Sequence, residues 1–231
     1  MGITKNVKIK YDYRDFNPEI LDKQNIDRLA LDQVPENSKV LDIGCATGFM
    51  GKYLIQHKGC KVYGVEIRLN ESIVAKNNLN GVAVIDVEEK TAVKEILAMT
   101  NNIKFDAILA TSIIEHLKDT DQFLKLCSQL LKPNGILIVS TPNIAHWSMR
   151  LSLLIGNFDY SEYGILDNTH LHFFTIKSFR KLFQKNGYII KDLLIDPVGG
   201  GYPSLSRFFS KFFPGIFAYQ MLIVAKIAIR R

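Results

Sequence analysis

The stretch Lys39-Val-Leu-Asp-Ile-Gly-Cys-Ala-Thr-Gly-Phe49 decides the fold. Lys39 to Ile43 is short, and apart from Lys39 and Asp42 it is apolar, with β-branched Val40 and Ile43, which predicts a buried strand. Gly44 and Gly48 allow the next turn to bring its backbone close to a ligand, and Ala46 is the next smallest residue available. Phe49 to His57 then fits a helix. Working downstream, strands are predicted at Lys61–Val65, Val82–Ile85, Phe105–Ala110 and Ile136–Ser140, the last after Lys-Pro-Asn-Gly. Helices are predicted between them at Glu71–Asn78, Thr91–Met99 and Leu117–Leu131. Such alternation predicts a parallel sheet with right-handed crossovers and helices on both faces.

The flanks depart from this rhythm. Upstream, Pro18 opens a predicted helix running through Leu31, with Asn17 as its cap. Downstream, residues 143–174 are rich in aromatics and histidine and show no clean period. Thr175 caps a helix to Asn186, which Gly187 ends. Tyr188–Ile195 and Phe217–Ile227 read as strands joined by a loop containing Gly199, Gly200, Gly201 and Pro203. With no helix between them they should pair as an antiparallel hairpin at the sheet edge. The predicted class is α/β, an open, doubly wound, mostly parallel seven-stranded sheet ending in that hairpin. One domain over 1–231 is expected, divided into an N-terminal helical lid (1–35), a core (36–140), an insertion with its helix (141–187) and a strand pair (188–231).

Composition agrees with this class and excludes others. The 231 residues are 47% hydrophobic and 23% charged, which suits one globular domain and is far too apolar for a disordered chain. Cys45, Cys60 and Cys127 form no C-x-x-C pair and no metal spacing, so neither a disulfide framework nor a structural zinc site is expected, and the chain reads as cytoplasmic. The first sixteen residues, MGITKNVKIKYDYRDF, lack a continuous apolar stretch and cannot act as a secretory signal. Phe212–Ile229 approaches transmembrane length, but Pro214, Gly215 and Lys226 make a buried strand the better reading. The net charge of +6 comes without an arginine run, zinc finger or RNA-binding aromatic signature, so no nucleic-acid partner is expected.

In open sheets of this kind ligands bind beyond the carboxyl ends of the strands. The second strand ends in Gly64-Val-Glu66, and a carboxylate there can accept both hydroxyls of a ribose. A nicotinamide dinucleotide site would need G-x-G-x-x-G, which maps onto Gly44, Ala46 and Phe49 and fails at two of the three positions. Asp42 would repel a pyrophosphate and attract a ligand bearing an ammonium and a sulfonium. The acid favours S-adenosylmethionine.

Val40-Leu-Asp-Ile-Gly-Cys-Ala-Thr-Gly48 resembles the first motif of the class I S-adenosylmethionine-dependent methyltransferases, whose sheet is Rossmann-like. Phe105-Asp-Ala-Ile-Leu-Ala-Thr-Ser-Ile-Ile-Glu-His-Leu-Lys-Asp119 resembles the family's fourth-strand motif, and Leu131-Lys-Pro-Asn-Gly-Ile-Leu-Ile-Val139 the entry to its fifth strand. The family usually has glycine where this chain has Ala46. The resemblance implies that Gly44, Cys45, Ala46 and Gly48 hold the methionine part, with Asp42 near its ammonium. It further implies that Glu66 binds the ribose, Ile67 packs on the adenine, Asp86 and Val87 meet the adenine amino group and ring, and Thr111 lines the pocket.

The acceptor side falls in the irregular segment. Thr141-Pro-Asn-Ile-Ala-His-Trp147, Gly156-Asn-Phe-Asp-Tyr160 and Gly164-Ile-Leu-Asp-Asn-Thr-His-Leu-His-Phe-Phe-Thr175 resemble an insertion in a bacterial subgroup similar to quinone and deoxysugar methyltransferases. Tyr11 and Tyr13 are candidates for the other half of a lid. An alcohol acceptor must lose a proton, so a histidine is useful. Of His146, His170 and His172, the catalytic candidates are His170 first and His172 second, with Asp167 placed to orient one. Glu115 and His116 read as a helix-terminal pair serving structure, and no spacing indicates a metal. The expected function is O-methylation of a small molecule such as a sugar or quinone precursor, of unknown oligomeric state. The alternatives are a non-catalytic partner protein keeping the fold, and a peripheral membrane methyltransferase acting on a lipid-linked substrate through the aromatic and basic stretch Arg207–Pro214.

Overall fold

The computed structural model of the chain describes residues 16–197 and 203–228. Tyr11, Tyr13 and Gly199–Gly201 lie outside them. Strands β1 (Lys39–Ile43), β2 (Lys61–Glu66), β3 (Gly81–Val84), β4 (Phe105–Thr111), β5 (Leu131–Pro142), β6 (Tyr188–Asp196) and β7 (Gln220–Ile227) form one sheet. Their order is β3-β2-β1-β4-β5-β7-β6. The first five are parallel, and β7 runs antiparallel to both β5 and β6. The strand order reverses between β1 and β4, which is where such sheets open a ligand crevice.

Alternation along β1 sorts the two faces. Leu41 and Ile43 join a core built with α4 (Ala92–Met99), α5 (Thr120–Leu130) and α7 (Ile176–Lys185). Val40 joins the opposite core with α1 (Ile26–Gln33) and α2 (Phe49–Lys58). Every fully apolar position of β4 from Ala107 to Ala110 is buried, as expected of a central parallel strand. Phe179 and Phe183 of α7 are completely buried, and its start carries a capping box between Thr175 and Ser178. Helices α3 (Leu69–Ala75) and α6 (Trp147–Leu154) complete the layers around the strand ends.

Three expectations need correction. The first helix begins at Ile26, not Pro18, and is capped by Asn25, whose Oδ1 accepts from the Asp27 and Arg28 amides. Upstream, Asn17 accepts from the Glu19 amide and Asp22 from the Gln24 amide, so local side-chain bonds hold turns in place of helix. The helix predicted from Leu117 starts at Thr120, because Asp119 caps it by accepting from Gln122 N–H at 2.8 Å. Before it, Ile114–His116 forms a separate 3₁₀ turn.

Finally, the predicted loop between the last two strands carries α8 (Pro203–Ser210) and α9 (Pro214–Phe217). Pro214 opens α9 and delays β7 to Gln220. Phe208, Phe212 and Phe213 on this connection are exposed, while β7 itself is buried from Met221 to Ala225. Among the described residues no helix is long and apolar enough to cross a membrane.

Candidate functional site

The turn after β1 takes positive φ at Gly44 (72°), Ala46 (46°) and Gly48 (77°). The amides of Gly44 and Cys45 both donate to the Val65 carbonyl, at 2.8 and 3.1 Å, which ties the turn to the end of β2. A side chain at Gly44 would come within 2.9 Å of Ile113 Cδ1, and one at Gly48 within 3.0 Å of Leu79 Cγ. Glycine is therefore required there by space as well as by conformation. Ala46 adopts the same left-handed geometry with a Cβ, and its amide donates to Glu66 Oε2 at 2.9 Å. Cys45 is buried against β2, where its sulfur would sit 2.6 Å from a Cβ at Gly64. Burial pushes the Cys45 thiol far up, so it is a neutral packing group.

Glu66 is buried at the tip of β2, with its second oxygen accepting from the Arg68 amide at 3.0 Å. Asp42 is buried beside it on the α1 face of β1, and its pKa is pushed up to about 7 by burial first, then by the charges of Glu66 and Asp27. Asp27 of α1 is raised to about 6, again by burial and then by Asp196. Asp196 in turn accepts from the Ile26 amide that starts α1. The chain thus gathers carboxyl groups where little solvent reaches them, an arrangement that a bound cation relieves. Sequence reasoning missed Asp27, since a single acid in the first turn of a helix carries no such signal.

Asp86 follows β3 and accepts from the Glu88 amide at 2.9 Å, while neighbouring Val87 is buried. Ile67 leaves the tip of β2 58% exposed. Thr111 ends β4 with its hydroxyl 3.6 Å from Met50 Sδ. The ten residues expected to meet the cofactor therefore lie along one rim, at or just beyond the carboxyl ends of β1 to β4. A cleft of about 790 Å³ opens on the outer side of this rim between Phe16, Thr47, Phe49, Tyr53, Val74 and Asn78.

A second group gathers beyond β4. Glu115, in the 3₁₀ turn, is buried, and neither carboxyl oxygen has a hydrogen-bond partner among the described residues. Burial pushes its pKa up to about 8. Its carbonyl accepts from the Leu171 and His172 amides, so the insertion is fastened directly to this turn. One potential ligand atom each from Glu115, His116 and His170 lies within 4.8 Å of the others. His170 Nδ1 donates to the Ile165 carbonyl at 3.0 Å, and His116 Nδ1 to the Thr169 carbonyl at 3.2 Å. Asp167 accepts from the Thr169 amide and hydroxyl, and Thr169 Oγ1 lies 3.0 Å from His116 Nδ1.

His172 is held apart from this group, with Nε2 donating to the Lys118 carbonyl at 3.2 Å and its ring stacked on Phe174. His146 is fully buried, its Nδ1 paired with Ser148 Oγ at 2.7 Å, and burial lowers its pKa to about 4. Glu115 and His116 are not at the start of α5, contrary to the expectation of a helix-terminal pair. The grouping with His170 joins two segments far apart in sequence, which no local spacing reveals.

The family profile described as a methyltransferase domain matches residues 13–191. A ubiquinone biosynthesis O-methyltransferase from Bradyrhizobium diazoefficiens is 34% identical over 118 residues, covering 51% of this chain and 45% of that protein. One from Bartonella tribocorum is 30% identical over 178 residues, covering 74% of this chain and 66% of that protein. The chain thus spans between about half and two thirds of the curated relatives it matches. Among solved structures, magnesium protoporphyrin IX methyltransferase from Synechocystis, with bound S-adenosylhomocysteine, aligns with a TM-score of 0.59. At 16% identity, covering 89% of this chain and 83% of that one, it is similar in fold.

Proposed function

Because the chain belongs to the methyltransferase-domain family and has the class I fold, we propose that it transfers a methyl group from S-adenosylmethionine to the oxygen of a small acceptor. The observation that carries this reading is the pair of buried acids, Asp42 and Glu66, flanking a turn that takes positive φ three times. The residues present fit the cofactor. Asp42 gives its ammonium a counter-charge, Glu66 retains acceptor capacity for two ribose hydroxyls, and the Gly44–Gly48 backbone can approach it closely. Ile67 supplies an apolar surface for the adenine, with Asp86 and Val87 at its edge and Thr111 on the pocket wall. When bound, this cofactor supplies a methyl group already activated by the sulfonium, so the protein's task is alignment and exclusion of water.

The acceptor lies on the side of the insertion. Leu151, Leu153, Leu154, Ile155 and Phe158 are exposed there, which suits an acceptor with an apolar ring or tail. The names of the relatives support a quinone precursor, ahead of a sugar. His170 engages the acceptor hydroxyl in this reading, which its grouping with Glu115 and His116 supports. Residues 141–187 serve as a lid on the acceptor side of the core. The enzyme would work in the cytoplasm, where Cys45, Cys60 and Cys127 remain free thiols.

Titration calorimetry with S-adenosylmethionine, S-adenosylhomocysteine and NAD tests the reading. Binding of the first two and not of NAD is expected. Binding of NAD alone, or of none, would overturn it. An acceptor screen over catechol-type quinone precursors and sugars follows from a positive result.

A further inference from the structure

We propose that Ser112 holds the acceptor in the crevice through a hydrogen bond between its hydroxyl and an acceptor oxygen, and that Ser140 is the positioning residue that keeps it there. Both roles rest on the methyl-transfer reading. Three observations carry them.

The first is where the backbone is strained. Among the described residues five other than glycine take positive φ: Asn37, Ala46, Asn101, Asn102 and Ser112. Three are asparagines, which enter the left-handed region readily. The two that enter it at a cost, Ala46 at 46° and Ser112 at 50°, follow β1 and β4. Those strands are neighbours, with Asp42 opposite Leu109, and the strand order reverses between them. Strain of this kind persists only where the surrounding structure fixes it, and it collects at ligand sites. Ala46 belongs to the cofactor turn, and Ser112 is its counterpart across the switch point.

The second is what fixes Ser112. Its amide donates to both oxygens of Ser140, to Oγ at 3.0 Å and to the carbonyl at 3.2 Å. Ser140 is completely buried on β5, in register with Thr111 at the end of β4. On the other side, Ile113 lies against the cofactor turn, where a side chain at Gly44 would meet its Cδ1 at 2.9 Å. Ser112 is thus held between a buried strand and the turn after β1.

The third is the hydroxyl itself. Ser112 is exposed, and its hydroxyl has no hydrogen-bond partner among the described residues. The hydroxyls beside it are engaged, Thr111 with Met50 Sδ at 3.6 Å and Ser140 with the Ser112 amide. Glycine would make the same turn without strain, so serine here gives up stability for a short polar group at the crevice. A hydroxyl both donates and accepts, so it can meet a hydroxyl or a keto oxygen. The bond goes to an oxygen other than the one methylated, because a donor on the attacking oxygen would hold back its lone pair. Its effect is alignment of the acceptor with the methyl group.

The test measures methyl transfer from S-adenosylmethionine to 3,4-dihydroxybenzoate by the full chain, with S-adenosylhomocysteine affinity and Tm recorded for every variant. Ser112→Gly removes the hydroxyl and keeps the turn. It should raise Tm, leave cofactor affinity unchanged, and lower kcat/KM for the acceptor by roughly 3- to 10-fold, the worth of one neutral hydrogen bond. Ser140→Ala loosens the turn while the Ser140 carbonyl still takes the amide, and alone it should lower kcat/KM by a similar factor. Added to Ser112→Gly it should cost nothing more, since no hydroxyl is left to position. Full kcat/KM in Ser112→Gly, or a loss that falls on cofactor affinity instead, overturns the acceptor bond. Losses that multiply in the double variant overturn the positioning role and leave Ser140 serving the fold alone. Cofactor binding by a wild type that transfers nothing to the probe refutes this inference and leaves the cofactor half of the proposed function standing. Absence of cofactor binding refutes the proposed function, and this inference with it.

Discussion

Glu66 Oε2 accepts the Ala46 amide at 2.9 Å, so one carboxylate both braces the turn after β1 and stands ready at its mouth. A group fixed in this way loses little conformational freedom when a ribose arrives. Glu66→Ala should weaken S-adenosylhomocysteine binding by tenfold to a few hundredfold, since hydrogen bonds to charged groups contribute roughly 1.5–3 kcal/mol each. Calorimetry reads this directly, and an unchanged Kd would remove Glu66 from the ribose site.

Ala46 holds φ at 46°, a region where a Cβ costs about 1–2 kcal/mol and glycine none. After the extra unfolded-state entropy of glycine, Ala46→Gly should stabilise the chain by about 0.5–1 kcal/mol, or roughly 1–4 °C in Tm. Differential scanning calorimetry on the two chains decides it. A fall in Tm would mean that the alanine methyl makes packing contacts worth more than the backbone strain.

The raised pKa of Asp42 has a signed consequence. Its folded value of about 7 exceeds the ordinary 3.8, so the folded chain holds a proton that the unfolded chain has released. Its contribution to stability is fully present below pH 3.8 and is lost as pH rises through 7. A ligand ammonium beside Asp42 favours the ionised form, so binding should release a proton. S-adenosylhomocysteine affinity should therefore climb between about pH 5.5 and 7.5. Asp42→Asn should flatten that profile, and a profile equally steep in the variant would place the titration elsewhere.

Gly51 lies inside α2, where alanine is normally the better helix former by about 1 kcal/mol. Here a Cβ would press into Leu79 and lie 2.8 Å from Val62 Cγ1. Gly51→Ala should therefore lower Tm, by an overpacking penalty of about 1–3 kcal/mol. An increase would show that α2 can shift away from β2 without loss.

His170→Ala should lower kcat strongly and spare cofactor affinity, whereas His172→Ala should retain turnover close to that of the wild type. The difference follows from their placement, one ring grouped with Glu115 and the other bonded to the Lys118 carbonyl. Steady-state kinetics on both variants tests it, and equal loss in the two would contradict this division.

The central strands and their turn could be read from sequence because each is fixed by neighbours in the chain. Lys39–Ile43, Gly44 and Gly48 need no distant partner to declare themselves. Pro18 misled because Asn17 and Asp22 satisfy nearby amides with their own side chains, and a helix start read from a proline and a capping asparagine does not count that competition. The last connection misled for a related reason, its glycines suggesting a loop while Pro203 and Pro214 each open a helix. Glu115 reads from sequence as half of a helix-terminal pair, and only the fold, in which the Leu171 and His172 amides bond to its carbonyl, reveals that it is buried. Groupings of that kind depend on the third dimension.

The position of β7 between β5 and β6 bears on how the molecule is made. β6 leaves the ribosome before β7 and, among the described residues, has no other strand to pair with. Until Gln220–Ile227 has emerged, the nascent chain presents two unfinished edges, the outer side of β5 and all of β6. The half of the sheet that carries the cofactor rim can assemble during synthesis, whereas the far half must wait for a single late segment. The interval after Tyr188–Asp196 has emerged and before Gln220–Ile227 has paired is thus the moment at which this chain is most open to capture by a chaperone or to aggregation.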